Sequence, residues 1–359
     1  MSRTTRKKLE PVEKPVYNIL VTGGLGFIGH RVVIELMKEG HNVHIVDNMT
    51  TYNIIPKEEL DYLVTSRLNS IASRVTARSQ VDLLKCDIQD SAVSRLMMSK
   101  TFDIVIHLAS FPRQKVVNLD PKAGSKVMSE GLLHLLELSR KNVVKRFVYI
   151  SSSMVYGDFK DNVKEDALCD PKGQYAIMKY AGELLVKDYT RQYGLDHTII
   201  RPSAVYGEFD AEDRVVSKFL LSALRDDTLQ VNGKMEKLDF THVGDVAKGI
   251  VQASLSDKAK NETYNLTRSK GVTLYDAASM ITKITGKGNI KVNLKDKNFP
   301  TRGALSITKA KEHFDFNPTV DVEQGFRFYY DWLINSKYWQ DKINVKEPVK
   351  KTARKKKNV

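Results

Sequence analysis

Cysteine is nearly missing. Cys86 and Cys169 are the only two in 359 residues, too few for a disulfide framework or a metal site, and this scarcity points to a reducing compartment. Also lacking is any apolar run of signal-peptide or membrane-spanning length behind the basic start. The expectation is a soluble cytoplasmic protein with no membrane attachment and no bound metal. The body of the chain carries no nucleic-acid motif, so the net charge of +14 needs another account. It is concentrated at the ends: up to Val16 there are five basic and two acidic residues, and from Asp341 onward eight and two. These tails supply +3 and +6, leaving about +5 for the body. Low-hydrophobicity, lysine-rich ends such as Lys350 to Lys357 read as disordered, solvated tails rather than as nucleic-acid arms.

What is present is enough chain for one large α/β domain with a smaller satellite. Tyr17 to Thr22 is a short β-rich run that stops at Gly23-Gly-Leu-Gly26-Phe-Ile-Gly29, and helical periodicity begins near His30 and continues to Lys38. Gly23 allows a tight turn, Gly26 lets the backbone approach a pyrophosphate, and Gly29 permits close packing of helix on strand. With Phe27 and Ile28 at the positive helix end, this is the spacing of a dinucleotide-binding turn. A second strand, Asn42 to Val46, closes on Asp47 and Asn48. A carboxylate 24 residues after the first glycine can accept both ribose hydroxyls and would repel a 2′-phosphate, which favours NAD over NADP.

From Thr50 to Arg78 the chain is polar and irregular, with one helical patch near Lys57 to Leu68, and reads as an insertion over the adenosine end. Val81 to Cys86 is a third strand, ending in Asp87-Ile88 where an adenine edge could lie. Phe102 to His107 is a fourth, ending in Leu108-Ala109-Ser110, small enough for a dinucleotide backbone to approach; His107 reads as a packed strand-end histidine. Lys122 to Lys141 is an amphipathic helix, and Arg146 to Ile150 is a fifth strand that delivers Ser151-Ser152-Ser153-Met154-Val155-Tyr156-Gly157. Strands alternating with helices at this spacing argue for a doubly wound parallel, Rossmann-type sheet.

Tyr175 and Lys179 lie four residues apart in a helical stretch and so share one face. A phenol is a weak base at neutral pH, with an unperturbed pKa of about 10. An ammonium held nearby favours the phenolate, and such a unit can exchange a proton with a hydroxyl.

Taken together, these segments resemble the extended short-chain dehydrogenase/reductase family, and within it the NAD-dependent nucleotide-sugar epimerases and dehydratases, from about Tyr17 to Trp332. The resemblance implies that Ser152, Tyr175 and Lys179 are catalytic, that Lys179 also holds the nicotinamide ribose, and that Pro202 joins the cofactor site. Tyr175 would take the proton of a sugar hydroxyl, with Ser152 on the same oxygen, while hydride passes to NAD. Dehydratases of this family have an acidic pair directly after the serine. Here those positions hold Ser153 and Met154, neither of which can expel water, and Met154 also argues against the decarboxylase branch. Epimerisation remains, with the same hydride returning to the other face of a transient ketone, most simply at carbon 4. A 4-ketoreductase or dehydrogenase is the alternative, and a non-catalytic NAD-sensing scaffold the remote one.

The second half is expected to choose the substrate, a nucleoside-diphosphate sugar. Asp213 to Leu224 reads as a helix, Leu229 to Phe240 as a hairpin, Asp245 as the cap of a helix to Ala253, and Thr263 to Leu266 as a late strand. Many relatives carry Asn where Ala204 stands and Arg where Leu238 stands, whereas Arg302, in Phe299-Pro-Thr-Arg-Gly303, matches the family's phosphate-binding arginine. Ser152, Ser153, Met154, Ala204, Leu238 and Arg302 are the candidate substrate residues. The division expected is a cofactor domain over 17–202 with returning segments near 240–267, a substrate-binding lobe mainly over 203–340, and tails at 1–16 and 341–359. Family resemblance suggests a homodimer through the helices near Lys122 to Lys141 and Gln174 to Tyr193.

Overall fold

The computed structural model describes residues 15–344 except 51, 53, 77–78 and 297–299; most of both basic tails and Phe299 fall outside the described residues, and residues 341–344, expected as the start of a tail, instead close the last helix. Seven parallel strands form the central sheet: β1 (Asn18–Thr22), β2 (Asn42–Asp47), β3 (Val81–Lys85), β4 (Ile104–His107), β5 (Arg146–Ile150), β6 (His197–Pro202) and, much later in the chain, Glu262–Leu266. The order across the sheet runs from β3 through β2, β1, β4, β5 and β6 to that late strand, and every pairing is parallel. The chain reverses its direction of travel between β1 and β4, the switch point where such sheets leave a crevice for a ligand.

Parallel strands need helical crossovers. These are α1 (Phe27–Lys38), α2 (Lys57–Ala72), α3 (Ser91–Ser99), α4 (Gln114–Leu119), α5 (Pro121–Ser125), α6 (Leu132–Lys141) and α7 (Gln174–Tyr193). On one face Val33, Leu36 and Met37 of α1 join Ile250, Tyr264 and Phe316 in a core. On the other Leu132, Leu135 and Leu136 of α6 pack with Phe147, Tyr149 and Tyr189.

Beyond β6 come β7 (Val205–Tyr206), α8 (Val215–Leu224), β8 (Thr228–Asn232), β9 (Lys237–Leu238), β10 (Thr241–His242), α9 (Val243–Leu255), the sheet-edge strand Glu262–Leu266 as β11, β12 (Val272–Thr273), α10 (Leu274–Thr285), β13 (Asn289–Asn293), α11 (Thr308–Phe314), α12 (Val322–Asn335) and α13 (Lys337–Asn344). Phe219, Leu220, Leu229, Ile281, Phe326 and Trp339 form a separate core in this lobe. Three segments return to the main body: α9 packs on α1, β11 completes the sheet and α11 covers β11.

Four sequence expectations are corrected. The helical patch expected after β2 is present, but it is more than a patch in an irregular insertion: α2 is a 16-residue crossover helix running on to Ala72, whose Tyr62 stacks on Tyr338 of α13 with ring centroids 4.3 Å apart. The Lys122 to Lys141 helix is interrupted by a π-helical turn at Lys126–Gly131, a form common beside functional sites. There Gly131 leaves room for Ile88, whose Cδ1 would lie 2.5 Å from a Cβ at that position. The Leu229 to Phe240 stretch is no hairpin, since β8 pairs in parallel with β13 while β9 pairs with β12. The cap of α9 is His242, whose ring accepts from Gly244 N at 3.2 Å. Asp245 instead spends its carboxylate on Thr319 N and Val320 N, tying α9 to the segment before α12.

Candidate active site

At the carboxyl edge of the sheet a cleft of about 840 Å³ runs from Asp87, at the end of β3, past the switch point to Arg302 in the second lobe. Its first wall is the glycine turn. Gly23 has φ +71°, and a Cβ there would meet Ala109 N at 2.7 Å; at Gly29 it would meet Gly23 O at 2.0 Å. The turn can therefore be this tight, and lie this close to the end of β4, only with glycine at both places. Helix α1 starts at Phe27 with Gly26 as its cap and no side-chain acceptor on its first N–H groups, so the positive helix end is open to a phosphate.

Asp47 ends β2 and reaches back across this turn, accepting from Leu25 N at 2.9 Å and from Met49 N at 2.7 Å. Burial pushes its carboxyl above the usual range, and those two backbone donors oppose the shift. Asn48 donates to Asp87 at 3.2 Å, joining the ends of β2 and β3. Leu108, Ala109 and Ser110 line the cleft at the end of β4 beside Ile88. His107 is a packed residue: it meets Thr22 Oγ1 at 2.7 Å, and burial first, then the Lys179 charge, hold its ring down to about 3.

Ser152 follows β5 and caps a single 3-10 turn, Ser153–Tyr156, by accepting from Met154 N at 3.2 Å. Tyr175 and Lys179 sit in the first turns of α7, and both side chains line the cleft with Ser152 and Pro202. Gln114 fixes the start of α7 by accepting from Tyr175 N at 3.1 Å. Lys179 donates to Ile150 O at 2.7 Å; burial lowers its ammonium to about 7, with Glu183 opposing. Burial also pushes the Tyr175 phenol up, while a hydrogen bond with Ser152 and the charge of Arg214 pull it down.

The substrate candidates also reach the cleft, with different capacities. Ser153 gives its hydroxyl to Ser203 Oγ at 3.0 Å and so acts as packing in the floor. Ala204 occupies the left-handed region with φ 36°, unusual for a residue with a Cβ. Arg302 has a sulfur partner, Met154 Sδ at 3.7 Å, and burial lowers its guanidinium to about 10; a cation so placed is ready for an anion. Leu238 contributes an apolar wall.

A family model describing the NAD dependent epimerase/dehydratase family matches residues 19–267. The chain belongs to that family. Over 325 residues it is 30% identical to a putative UDP-glucose 4-epimerase of Methanocaldococcus jannaschii, a match covering 89% of this chain and 99% of that one. Among solved structures it is similar to the UDP-glucuronic acid 4-epimerase of Bacillus cereus in complex with UDP-glucuronic acid and NAD (TM-score 0.79, 28% identity, 88% of this chain and 98% of that one). It is also similar to a UDP-glucose 4-epimerase of Thermotoga maritima with UDP-glucose (TM-score 0.76, 27% identity, 88% and 98%). Membership bears out the resemblance drawn from the motifs, the Rossmann-type fold, and NAD as the cofactor of this enzyme. Among the described residues no helix is long and apolar enough to cross a membrane.

Several groups in the cleft of this family member escaped the sequence. Arg113 and Asp210 come from loops with no periodicity to single them out, and Arg214, at the start of a helix the periodicity did reveal, lines the same cleft without a motif to mark it. Arg67 sits mid-helix in α2 yet is buried, donating to Leu25 O at 3.0 Å and Phe209 O at 2.7 Å, which binds the glycine turn to the second lobe. Tyr52 stacks on Phe111 with centroids 3.7 Å apart, bridging the loops after β2 and β4.

Proposed function

We propose that this enzyme interconverts nucleoside-diphosphate sugars that are epimers at carbon 4, using NAD as a regenerated cofactor. The carrying observation is that Ser152, Tyr175 and Lys179 share one cleft with the glycine turn and Asp47, while the two positions after Ser152 offer only a buried hydroxyl and a thioether. The turn suits a dinucleotide diphosphate because its two tight glycines, where a Cβ would strike neighbouring backbone, let it fold close to the end of β4 with the uncapped start of α1 open to a phosphate. NAD, when bound, takes up a hydride and gives it back. Tyr175 removes the proton from the 4-hydroxyl as the C4–H bond gives up its hydride, and a 4-ketone results. Ser152 would hydrogen-bond that oxygen, and Lys179, with the glycine turn and Asp47, would hold the dinucleotide. Rotation of the ketone and reversal of both transfers yield the epimer, with atoms and electrons balanced over the cycle. No carboxylic acid stands where water would have to be expelled, so the ketone has one exit.

Arg302 is assigned to the diphosphate, where a guanidinium can bind two oxygens at once. Leu119 of α4 and Ile177 and Leu184 of α7 are more than half exposed, and Leu133 is exposed on α6, which like α4 packs on α7. We assign this apolar surface to a homodimer contact, and an Ile177→Asp, Leu184→Glu double variant is expected to run as a monomer by light scattering. Cytoplasmic location and a place in carbohydrate biosynthesis follow from the same reading.

Incubation of the purified protein with individual nucleotide sugars, followed by product NMR, tests the function. The expected result is interconversion of 4-epimers without added cofactor, because nicotinamide stays with the protein through desalting. Net oxidation of NADPH by a keto-sugar nucleotide with no interconversion overturns it in favour of a ketoreductase.

A further inference from the structure

Arg67 lies in the middle of α2, yet its side chain is buried between the two halves of the cleft. Its Nη1 donates to Leu25 O at 3.0 Å and its Nη2 to Phe209 O at 2.7 Å. Its Nε has no partner among the described residues, so these two carbonyls are what anchor it. On the cofactor side Leu25 is held by both of its backbone groups, because Asp47 accepts from its N–H at 2.9 Å. On the lobe side Phe209 has φ +70°, a conformation that a residue with a Cβ keeps only where its surroundings dictate it. Helix α1 supplies part of those surroundings: His30 meets the Phe209 ring edge-on with centroids 5.2 Å apart, and Arg31 reaches Glu208 at 3.5 Å. Asp210, Ala211 and Asp213, which follow, line the cleft. The charge of the guanidinium is divided in the same way. Burial lowers it to about 10, and Asp210 on the lobe side, then Asp47 on the cofactor side, oppose that shift. One rigid fork thus spans two binding walls, and neither wall can move away without leaving a buried charged donor unmet.

We propose that Arg67 is a positioning residue that couples the two halves of the cleft, so that a nucleotide in the sugar-nucleotide half tightens the hold on NAD, and NAD the hold on the nucleotide. With a dinucleotide on the glycine turn, Leu25 is fixed and the guanidinium with it. The guanidinium in turn fixes Phe209 O, and the loop from Gly207 to Arg214 presents its cleft-lining residues in one arrangement. The reverse effect travels through the same bonds and has the same size, as linkage between two binding sites requires. The identity of the two ligands rests on the function proposed above. Such a coupling suits an enzyme that regenerates its cofactor, because the dinucleotide is held hardest while a sugar occupies the site, when its loss would strand a ketone.

The test is the rate at which the protein as purified loses its nicotinamide absorbance in dialysis, with and without excess UDP, in the wild type, Arg67→Lys and Arg67→Met, with thermal melts to verify folding. If the absorbance is not retained, the affinity for added NAD is measured by calorimetry with and without UDP instead. UDP is expected to slow the loss, or tighten NAD, by at least about fivefold in the wild type. In Arg67→Met, and in Arg67→Lys, whose single ammonium cannot span both carbonyls, that ratio is expected to fall below about twofold. An arginine with a merely structural role would change the melting temperature and leave the ratio alone. A wild type on which UDP has no effect overturns the coupling, and so does an unchanged ratio in a folded Arg67 variant. Should neither variant fold, Phe209→Ala, which removes the half-buried ring that seats the loop on α1, takes their place with the same two outcomes. The ratio is read without turnover, so a UDP effect that depends on Arg67 in a protein that fails to interconvert epimers removes the epimerase and leaves the coupling.

Discussion

Arg201 on β6 and Glu183 on α7 form a two-pronged ion pair, with Nε and Nη2 at 2.9 and 2.6 Å from the carboxylate oxygens and side chains only 3% and 0% exposed. Ser151 donates to the same carboxylate at 2.6 Å, and Arg201 continues through the Tyr156 hydroxyl at 2.8 Å to Asn265 of β11, a further 2.8 Å away. This chain fastens α7, which carries Tyr175 and Lys179, to the strands beneath it. Removing one member of a buried pair leaves the other charge uncompensated, which costs about 3–5 kcal/mol. Glu183→Ala is expected to lose stability of that order in urea denaturation and to lose turnover as well. A change under about 1 kcal/mol would mean that the pair contributes little beyond its own desolvation.

Tyr175→Phe removes one oxygen from a buried ring. The fold, the melting temperature and the retained cofactor are expected to stay close to wild type. Turnover falls by roughly 10²–10⁴-fold, the usual weight of a positioned general base. Near-normal turnover in a folded variant would show that another group takes the proton.

Why some of this was legible in the sequence and some not follows from how far each signal reaches. The glycine turn, Asp47 and the Tyr175, Lys179 spacing are local: the residues that act together are neighbours along one strand, turn or helix. The apolar runs of β1, β4, β5 and β6 are buried on both faces and read as strands for that reason. The helical patch of α2 was legible, but its full length and its role as a crossover were not, because its apolar face is interrupted by Glu59 and Arg67, both buried through distant partners, Glu212 N and Phe209 O. The pairing of β8 with β13 joins segments about 60 residues apart, which alternation alone cannot distinguish from a hairpin. Arg113, just before α4, pairs with Asp213, just before α8, and only the assembled cleft brings these two distant positions together.

Gly29 offers a test of the cofactor turn that does not involve the chemistry. A Cβ there would sit 2.0 Å from Gly23 O, a backbone atom with nowhere to retreat because Gly23 itself abuts Ala109. Gly29→Ala is expected to cost about 3 kcal/mol or more and to release the nicotinamide absorbance on desalting. Gly40→Ala, with open space at its Cβ but φ +84°, controls for backbone strain: it should lose stability by about 1 kcal/mol and keep the cofactor. Retention of cofactor by Gly29→Ala would show that the turn does not hold the dinucleotide.

Lys179 makes the stability of the cofactor-free protein depend on pH in a definite direction. Burial lowers its ammonium to about 7 in the folded chain, whereas in the unfolded chain it titrates near 10.4. Below about 7 both states hold the proton, and the folded state bears the full cost of a buried charge. Between about 7 and 10.4 the unfolded state binds more protons than the folded one, so stability rises with pH across that window. From pH 7 to pH 9 the gain attributable to this group is at most about 2.7 kcal/mol. Lys179→Met removes it, so the difference between wild type and variant, read from urea denaturation at the two pH values, isolates the lysine from every other titrating group. If the two proteins respond to pH in parallel, Lys179 is charged throughout the range, and the carbonyl of Ile150 is a sufficient partner for its ammonium.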